Sequence, residues 1–334
     1  MPKMSKLNKT KKPFLRGLLC LGKLWAIAYI ASCILLFFLQ TRLIFQPTPT
    51  IAKTPDAFNI PYQEVWLPVK GRSRKIEKLH GWWLPAANRQ SLGTLLYLHG
   101  RGLNIGANIT QSYRFRQLGF SVLLIDYRGY GRSQGSFPSE YRVYEDAETA
   151  YNYLVKQWQL LPSQILFYGH SMGGAVAIEL AIRHPEAAGL IVHNSFTSMV
   201  DMVENNAYMR FFPVRLLLTQ RFDSLAKVKS LRMPILFVHG IADPFVPATM
   251  SKKLYASSPE YKKILLVPNA RHNNGDAFFN NPEYRQTIVD FAEKVIDRKK
   301  LSLTHSAFIT GFFRESADSN KVFSYKTRFP IAHA

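Results

Sequence analysis

Two patterns of apolar residues divide the chain. From Leu18 to Leu39 it is apolar for 22 residues with one charge, Lys23. At about 1.5 Å per residue a helix over that run reaches roughly 33 Å, close to the thickness of a bilayer's hydrocarbon core. With Lys23 snorkelling to the interface, the run extends to Phe45, broken by Gln40 and Arg42. After Pro47 and Pro49 the pattern changes to short Val/Ile/Leu runs separated by helix-length segments. Tyr62–Leu67 and Lys78–Leu84 predict early strands, with a basic hairpin around Gly71–Lys75 between them. Thr94–Leu98, Ser121–Ile125, Ile165–Tyr168, Leu190–Val192, Ile235–Val238 and Ile264–Val267 predict buried strands. Glu140–Trp158, Ala175–Arg183 and Pro282–Asp297 carry helical spacing. Continuous apolar strands alternating with helices predict one α/β domain, a mostly parallel sheet with helices on both faces. No internal repeat of fixed period occurs.

The alternation lapses over Phe196–Arg232, which holds Met199, Met202, Met209, Phe211, Phe212 and the run Leu216–Leu218. That segment predicts a small cap over the carboxyl edge of the sheet, where such folds bind ligands. The expected organisation is a basic N-terminus at 1–17, a membrane anchor at 18–39 and a linker at 40–60. The α/β domain follows at 61–300, and a tail at 301–334 has no assigned role. Phe308, Phe312, Phe313 and Phe323 stand among basic residues in that tail.

Charge changes the picture of the ends. The net charge is +21, but residues 1–55 hold nine Lys/Arg and no acid, and 298–334 hold seven Lys/Arg and two acids. That leaves 27 basic and 20 acidic residues in 56–297, or +7. Charge gathered at the ends suits a membrane surface better than a phosphate-tracking groove, so no nucleic-acid partner is expected. Six basic residues precede the apolar run, from Lys3 to Arg16, and Arg42 follows it closely. The positive-inside rule then puts the N-terminus in the cytoplasm and the body on the non-cytoplasmic side. A cleaved signal peptide would have a shorter apolar core. Ile30-Ala31-Ser32-Cys33 resembles a lipobox, but Cys33 is followed by six more apolar residues. An uncleaved anchor fits best. Cys20 and Cys33 are the chain's two cysteines, so the body has no thiol nucleophile and no cysteine-built metal site.

Candidate chemistry centres on Gly169-His170-Ser171-Met172-Gly173. G-x-S-x-G is weak alone. Between an apolar strand and a helix it predicts a nucleophile elbow, a turn tight enough to require the flanking glycines. A serine nucleophile needs a base, and the base an orienting acid. Of nine histidines, His80, His305 and His333 are peripheral by position, and His99 and His239 end strands. His170 lies in the elbow pointing away from the serine, and His184 ends a helix, which leaves His193 and His272. His272 follows the last strand, as the order Ser, acid, His requires. Asp243, in the loop after the preceding strand, is the candidate acid, with Asp126 and Asp223 weaker. The backbone N–H groups of Met172 and Arg101 are the candidate oxyanion donors.

These residues carry a resemblance. His99-Gly100, the stretch Asp126–Ser133, Pro138-Ser139-Glu140, the Ser171 elbow, Phe196-Thr197-Ser198, Arg221–Ser224, the Asp243 loop and His272-Asn273 are similar to serine hydrolases of the α/β-hydrolase superfamily. The likeness covers roughly 60–297. It is greatest to the membrane-anchored bud-emergence-type hydrolases, relatives of acyl-protein thioesterases and monoacylglycerol lipases. It implies a triad of Ser171, Asp243 and His272 acting without metal or organic cofactor on an ester or thioester of an apolar acyl group. Aminopeptidase-like amide hydrolysis shares that triad. A membrane-tethered binding protein with a vestigial triad is the non-enzymatic alternative.

Overall fold

A computed structural model describes residues 11–70, 75–87 and 91–296. The N-terminal helix runs Lys11–Ile44, and Arg16–Ile44 within it is long and apolar enough to cross a membrane. It is five residues longer at its C-terminal end than the expected span, and those residues touch the body. Ile44 and Phe45 are buried in the main core, and Gln40 is buried against the cap. The expected linker is therefore packed chain: Gln46–Pro47 pair in parallel with Gly102–Leu103.

The body is an eight-stranded sheet: β1 Gln63–Lys70, β2 Ile76–Leu84, β3 Thr94–Leu98, β4 Ser121–Ile125, β5 Ile165–His170, β6 Gly189–His193, β7 Ile235–Gly240 and β8 Lys262–Val267. The spatial order is 1-2-4-3-5-6-7-8, with β2 antiparallel to β1 and β4 and all other pairs parallel. Every predicted strand is present. The strand Ile165–Tyr168 continues to His170, and the following helix, expected from Ala175, begins at Met172 directly after Ser171. The helix Ile109–Leu118 was not expected; with mostly polar residues and a modest apolar stripe, it buries Ile109, Ser112 and Phe115. The hairpin around Gly71 lies largely outside the described residues, as does the tail after Ile296.

Successive strand side chains face opposite ways, so each face of the sheet has its own core. Leu96, Leu123, Phe167, Val192 and Phe237 pack on one face, and Leu95, Val122, Tyr168, Ile191 and Leu236 on the other. Chain order reverses around β3, which has β4 on one side and β5 on the other. Loops leaving β3 and β5 therefore part at the carboxyl edge, the place where open α/β sheets bind ligands. Register levels the strand ends around it: Leu98 faces Gly169, His170 faces His193, and Gly240 faces Val267. The segment expected as a cap forms short helices Met199–Glu204, Ala207–Phe211, Val214–Leu217 and Ser224–Val228.

Candidate active site

Ser171 sits between strand and helix with φ 56° and ψ −122°, a strained conformation for a residue with a side chain. The glycines make the turn possible. A Cβ on Gly169 would lie 2.1 Å from the Gly173 carbonyl oxygen, and one on Gly173 would lie 2.0 Å from the Leu98 carbonyl oxygen. Any larger residue would push the elbow off the sheet. Ser171 and His272 are each 9% exposed, so the hydroxyl is shielded but reachable.

The loops after β7 and β8 bring Asp243 and His272 to this serine. Ser171 Oγ–H donates to His272 Nε2 at 3.0 Å, and His272 Nδ1–H donates to Asp243 Oδ2 at 2.6 Å. Asp243 Oδ1 accepts from the Phe245 and Val246 N–H groups at 2.9 and 3.0 Å. Burial alone would raise the Asp243 pKa. Hydrogen bonding from His239, His272 and the Val246 N–H outweighs it and holds the carboxyl well below the usual carboxylate range. The Asp243 carboxylate accepts the His272 Nδ1–H and so fixes the tautomer that leaves Nε2 free to take a proton. Asp126 and Asp223 stand elsewhere. Asp126 accepts the Ile105 N–H near His80 and His99, and Asp223 caps the helix Ser224–Val228.

The other histidines have different duties from those their positions suggested. His80 is fully buried on β2 and bonds Glu64, so it is not peripheral. His193 is buried with Nδ1 at 2.6 Å from the Tyr168 hydroxyl. His170 Nε2–H donates to the His272 carbonyl at 3.0 Å. Burial, then the nearby His272, push its pKa down to about 4, which keeps it a neutral donor. Asn194, absent from the sequence candidates, shares that carbonyl. Its Nδ2–H donates to His272 O at 2.9 Å while its Oδ1 accepts the Gly240 N–H at 2.9 Å. Asn194 thus ties the ends of β6 and β7 to the histidine loop. The one sequence signal for it was a polar pair closing the apolar run Leu190–Val192.

The loop after β3, the candidate oxyanion loop, is equally fixed. His99 Nδ1–H donates to the Gly100 carbonyl at 2.7 Å. A trans peptide opposes its C=O and N–H, so this bond aims the Arg101 N–H away from His99. Burial lowers the His99 pKa and keeps the ring neutral. A Cβ on Gly100 would lie 3.4 Å from the Ser171 Cβ, so the loop passes directly beside Ser171. Tyr130 Oη–H and the Gln46 N–H both donate to the Arg101 carbonyl, at 2.6 and 2.9 Å. Met172 opens the next helix, where the first N–H groups have no intrahelical acceptor. Among the described residues no group of three or more His, Cys, Asp or Glu side chains converges to hold a metal ion.

Comparison with known proteins agrees with this architecture. Residues 89–223 match a hydrolase family model described as serine aminopeptidase S33, and 194–311 match the model of PhoPQ-activated pathogenicity-related proteins. The chain is 34% identical over 253 residues to protein bem46 of Schizosaccharomyces pombe, covering 71% of this chain and 79% of that protein. The chain belongs to the α/β-hydrolase superfamily, among relatives of the bud-emergence type. An uncharacterized membrane protein of Saccharomyces cerevisiae is 32% identical over 285 residues, covering 80% of this chain and 92% of its own. The crystal structure of an alpha-beta hydrolase from Vibrio vulnificus superposes with a TM-score of 0.58 at 25% identity, covering 70% of this chain and 82% of that one. The protein is a hydrolase.

Proposed function

We propose that this hydrolase is a membrane-anchored serine esterase or thioesterase that cleaves apolar acyl groups through Ser171, His272 and Asp243. The observation that carries the reading is the unbroken hydrogen-bond line from Asp243 through His272 to a serine on a strained elbow. In the acylation half, His272 Nε2 takes the Ser171 proton as Oγ attacks the acyl carbon. The oxyanion develops against the Arg101 and Met172 N–H groups. Collapse expels the alkoxide or thiolate, which receives the proton from His272. Water then attacks the acyl-enzyme, giving its proton to His272, and the carboxylic acid leaves as Ser171 recovers its hydrogen. The N-terminal helix would hold the domain at the membrane, with the basic N-terminus cytoplasmic and Ser171 on the other side.

Ser171→Ala tests the reading. Turnover of p-nitrophenyl esters by the full chain should vanish while the urea midpoint stays within error of the unmodified protein. Retained turnover would remove the triad assignment. The serine aminopeptidase description of the matched family favours a second reading, amide cleavage by the same residues. Turnover of aminoacyl p-nitroanilides exceeding that of acyl esters would select it.

A further inference from the structure

The N-terminal helix and the cap are joined along half of the apolar run. Tyr29, Cys33, Leu36, Gln40 and Ile44 recur at helical spacing on one face of the helix, and those after Tyr29 are half-buried or buried. Trp25, one turn back on the same face, is 76% exposed, and Phe38 on the opposite face is 73% exposed. The cover on the helix therefore ends at Tyr29. Tyr29 Oη–H donates to the Phe211 carbonyl at 3.0 Å, and its ring stacks on Phe212 at 5.8 Å between centroids. At the other end Gln40 Nε2–H donates to the Leu217 carbonyl at 3.2 Å, and its Oε1 accepts from the Thr219 N–H and hydroxyl at 2.7 and 2.9 Å. Tyr29 stands eleven residues after Leu18 and ten before Leu39, in the middle of the apolar run. At about 1.5 Å per residue, Phe211 is held roughly 16 Å along the helix from Gln40, half the thickness of a hydrocarbon core.

The seam is satisfied in the way hydrocarbon demands. From Leu24 to Gln40 the helix carries hydroxyl or amide side chains at Tyr29, Ser32 and Gln40. The cap bonds Tyr29 and Gln40, and Ser32 Oγ–H donates to the Ala28 carbonyl at 2.8 Å. Water would make such bonds optional, whereas in lipid each unsatisfied group costs several kcal/mol. The outer side of the cap is apolar where it reaches furthest along the helix. Tyr208, Phe211 and Leu216 are 82, 78 and 83% exposed there. The neighbouring charges have partners: Arg215 Nε and Nη2 donate to the Glu204 carboxylate at 2.9 Å each, and Arg210 Nε donates to the Glu204 carbonyl at 3.2 Å. Long arginine stems also let their heads rise to the headgroup level. We propose that the cap tip, Tyr208 to Leu216, is itself inserted in the non-cytoplasmic leaflet beside the N-terminal helix, with lipid acyl chains as its partner. Helix and cap then enter the bilayer as one unit and the domain rests half-sunk on the membrane. The proposal rests on the membrane-anchor reading above.

Spin-label accessibility in the full chain tests it. Cys20→Ala and Cys33→Ala clear the chain of thiols, and Phe211→Cys, Leu216→Cys, Trp25→Cys and Leu161→Cys are then made one at a time and labelled with a nitroxide. Leu161 is 55% exposed just before β5, at the edge of the sheet opposite the cap. Each protein is reconstituted in phosphatidylcholine–phosphatidylglycerol vesicles, and collision rates are measured with oxygen, which concentrates in lipid, and with a polar nickel chelate, which stays in water. The oxygen-to-nickel ratio at both cap positions should exceed that at Leu161→Cys at least about fivefold, because a polar complex is costly to bring into hydrocarbon. A ratio at both cap positions within about twofold of Leu161→Cys, with Trp25→Cys reading lipid, overturns the proposal and leaves the anchor standing. Low collision with both reagents at the cap marks a second copy of the chain covering it and also overturns the proposal. A water reading at Trp25→Cys removes the anchor and the proposal together. An unfolding transition matching that of the unlabelled chain shows that each labelled protein is folded.

Discussion

Around Ser171 the contacts are polar, short and buried; along the N-terminal helix they are apolar, sparse and exposed. The Asp243 carboxylate accepts the His272 ring and the Phe245 and Val246 N–H groups within 3.0 Å, in a side chain with no exposed surface. The His272 carbonyl takes two donors from different elements, Asn194 and His170. By contrast, Trp25 is 76% and Phe38 73% exposed on the helix, and the helix meets the cap through one tyrosine, one glutamine and a partly empty cavity. The polar region satisfies most of its own groups, a buried polar atom without a partner costing about 1–3 kcal/mol; the exceptions beside the site include His99 Nε2 and His193 Nε2. The apolar region leaves its surface to something else, since a soluble monomer rarely exposes so large an apolar patch. Polar rigidity is concentrated at the sheet edge, and the helix–cap seam is open and apolar.

The comparison breaks most severely at the acid. Asp243→Asn should lower kcat about 10⁴-fold, as loss of the correct tautomer does in other triads, with folding preserved. A larger loss from Asp126→Asn or Asp223→Asn would move the acid elsewhere. Next comes the brace. Asn194→Ala removes both the donor to the His272 carbonyl and the acceptor of the Gly240 N–H. It should cost about 1–3 kcal/mol in urea unfolding, together with a roughly 10-fold or greater fall in kcat at near-constant KM. An equal stability loss with unaltered kcat would make Asn194 a packing residue only.

Acid should loosen the polar region in a defined window. Burial lowers the pKa of His99, of His170 to about 4, and of His193 far below its ordinary value. Unfolded histidines take up protons near about pH 6.5, so below that the unfolded chain binds more protons than the folded one. Stability is therefore full above about pH 6.5 and declines as pH falls towards 4. Asp243, with its depressed pKa, keeps its stabilising contribution through that window and loses it at lower pH. A Tm profile should show the decline, and His170→Gln, which keeps a donor and removes the titration, should flatten it. An unchanged profile in that variant would exclude His170 as a source.

The smallest effect belongs to the helix–cap seam. Gln40→Leu leaves the Thr219 N–H and the Leu217 carbonyl without their partner. Stability should fall by about 1 kcal/mol, near the net value of one hydrogen bond. A loss comparable to that of Asn194→Ala would erase the contrast between the two regions.

The legible parts of the molecule were those with a local signal. Val/Ile/Leu runs marked the strands, and the glycines about Ser171 marked a turn that no larger residue could make. Loop position after β7 and β8 was enough to bring Asp243 and His272 to the serine, because the strand ends are level. What stayed hidden was non-local. Asn194 is an ordinary polar residue at a strand end until three elements meet on its amide. His170 gave no hint that it would hold a carbonyl 102 residues away. The packing of residues 40–50 against the loop after β3 was equally silent, since the Gln46 N–H meets the Arg101 carbonyl and the Thr48 N–H the Leu103 carbonyl through backbone groups that every residue carries.

The central claim is that Ser171 is the nucleophile, and mass spectrometry of the fluorophosphonate adduct tests it most directly. Full-chain protein in detergent is labelled to completion, digested and mapped. The account predicts one adduct per chain, on the Ser171 hydroxyl, with labelling abolished in Ser171→Ala and slowed in Asp243→Asn. An adduct on any other residue, or none on a protein shown to be folded by its unfolding transition, would contradict it.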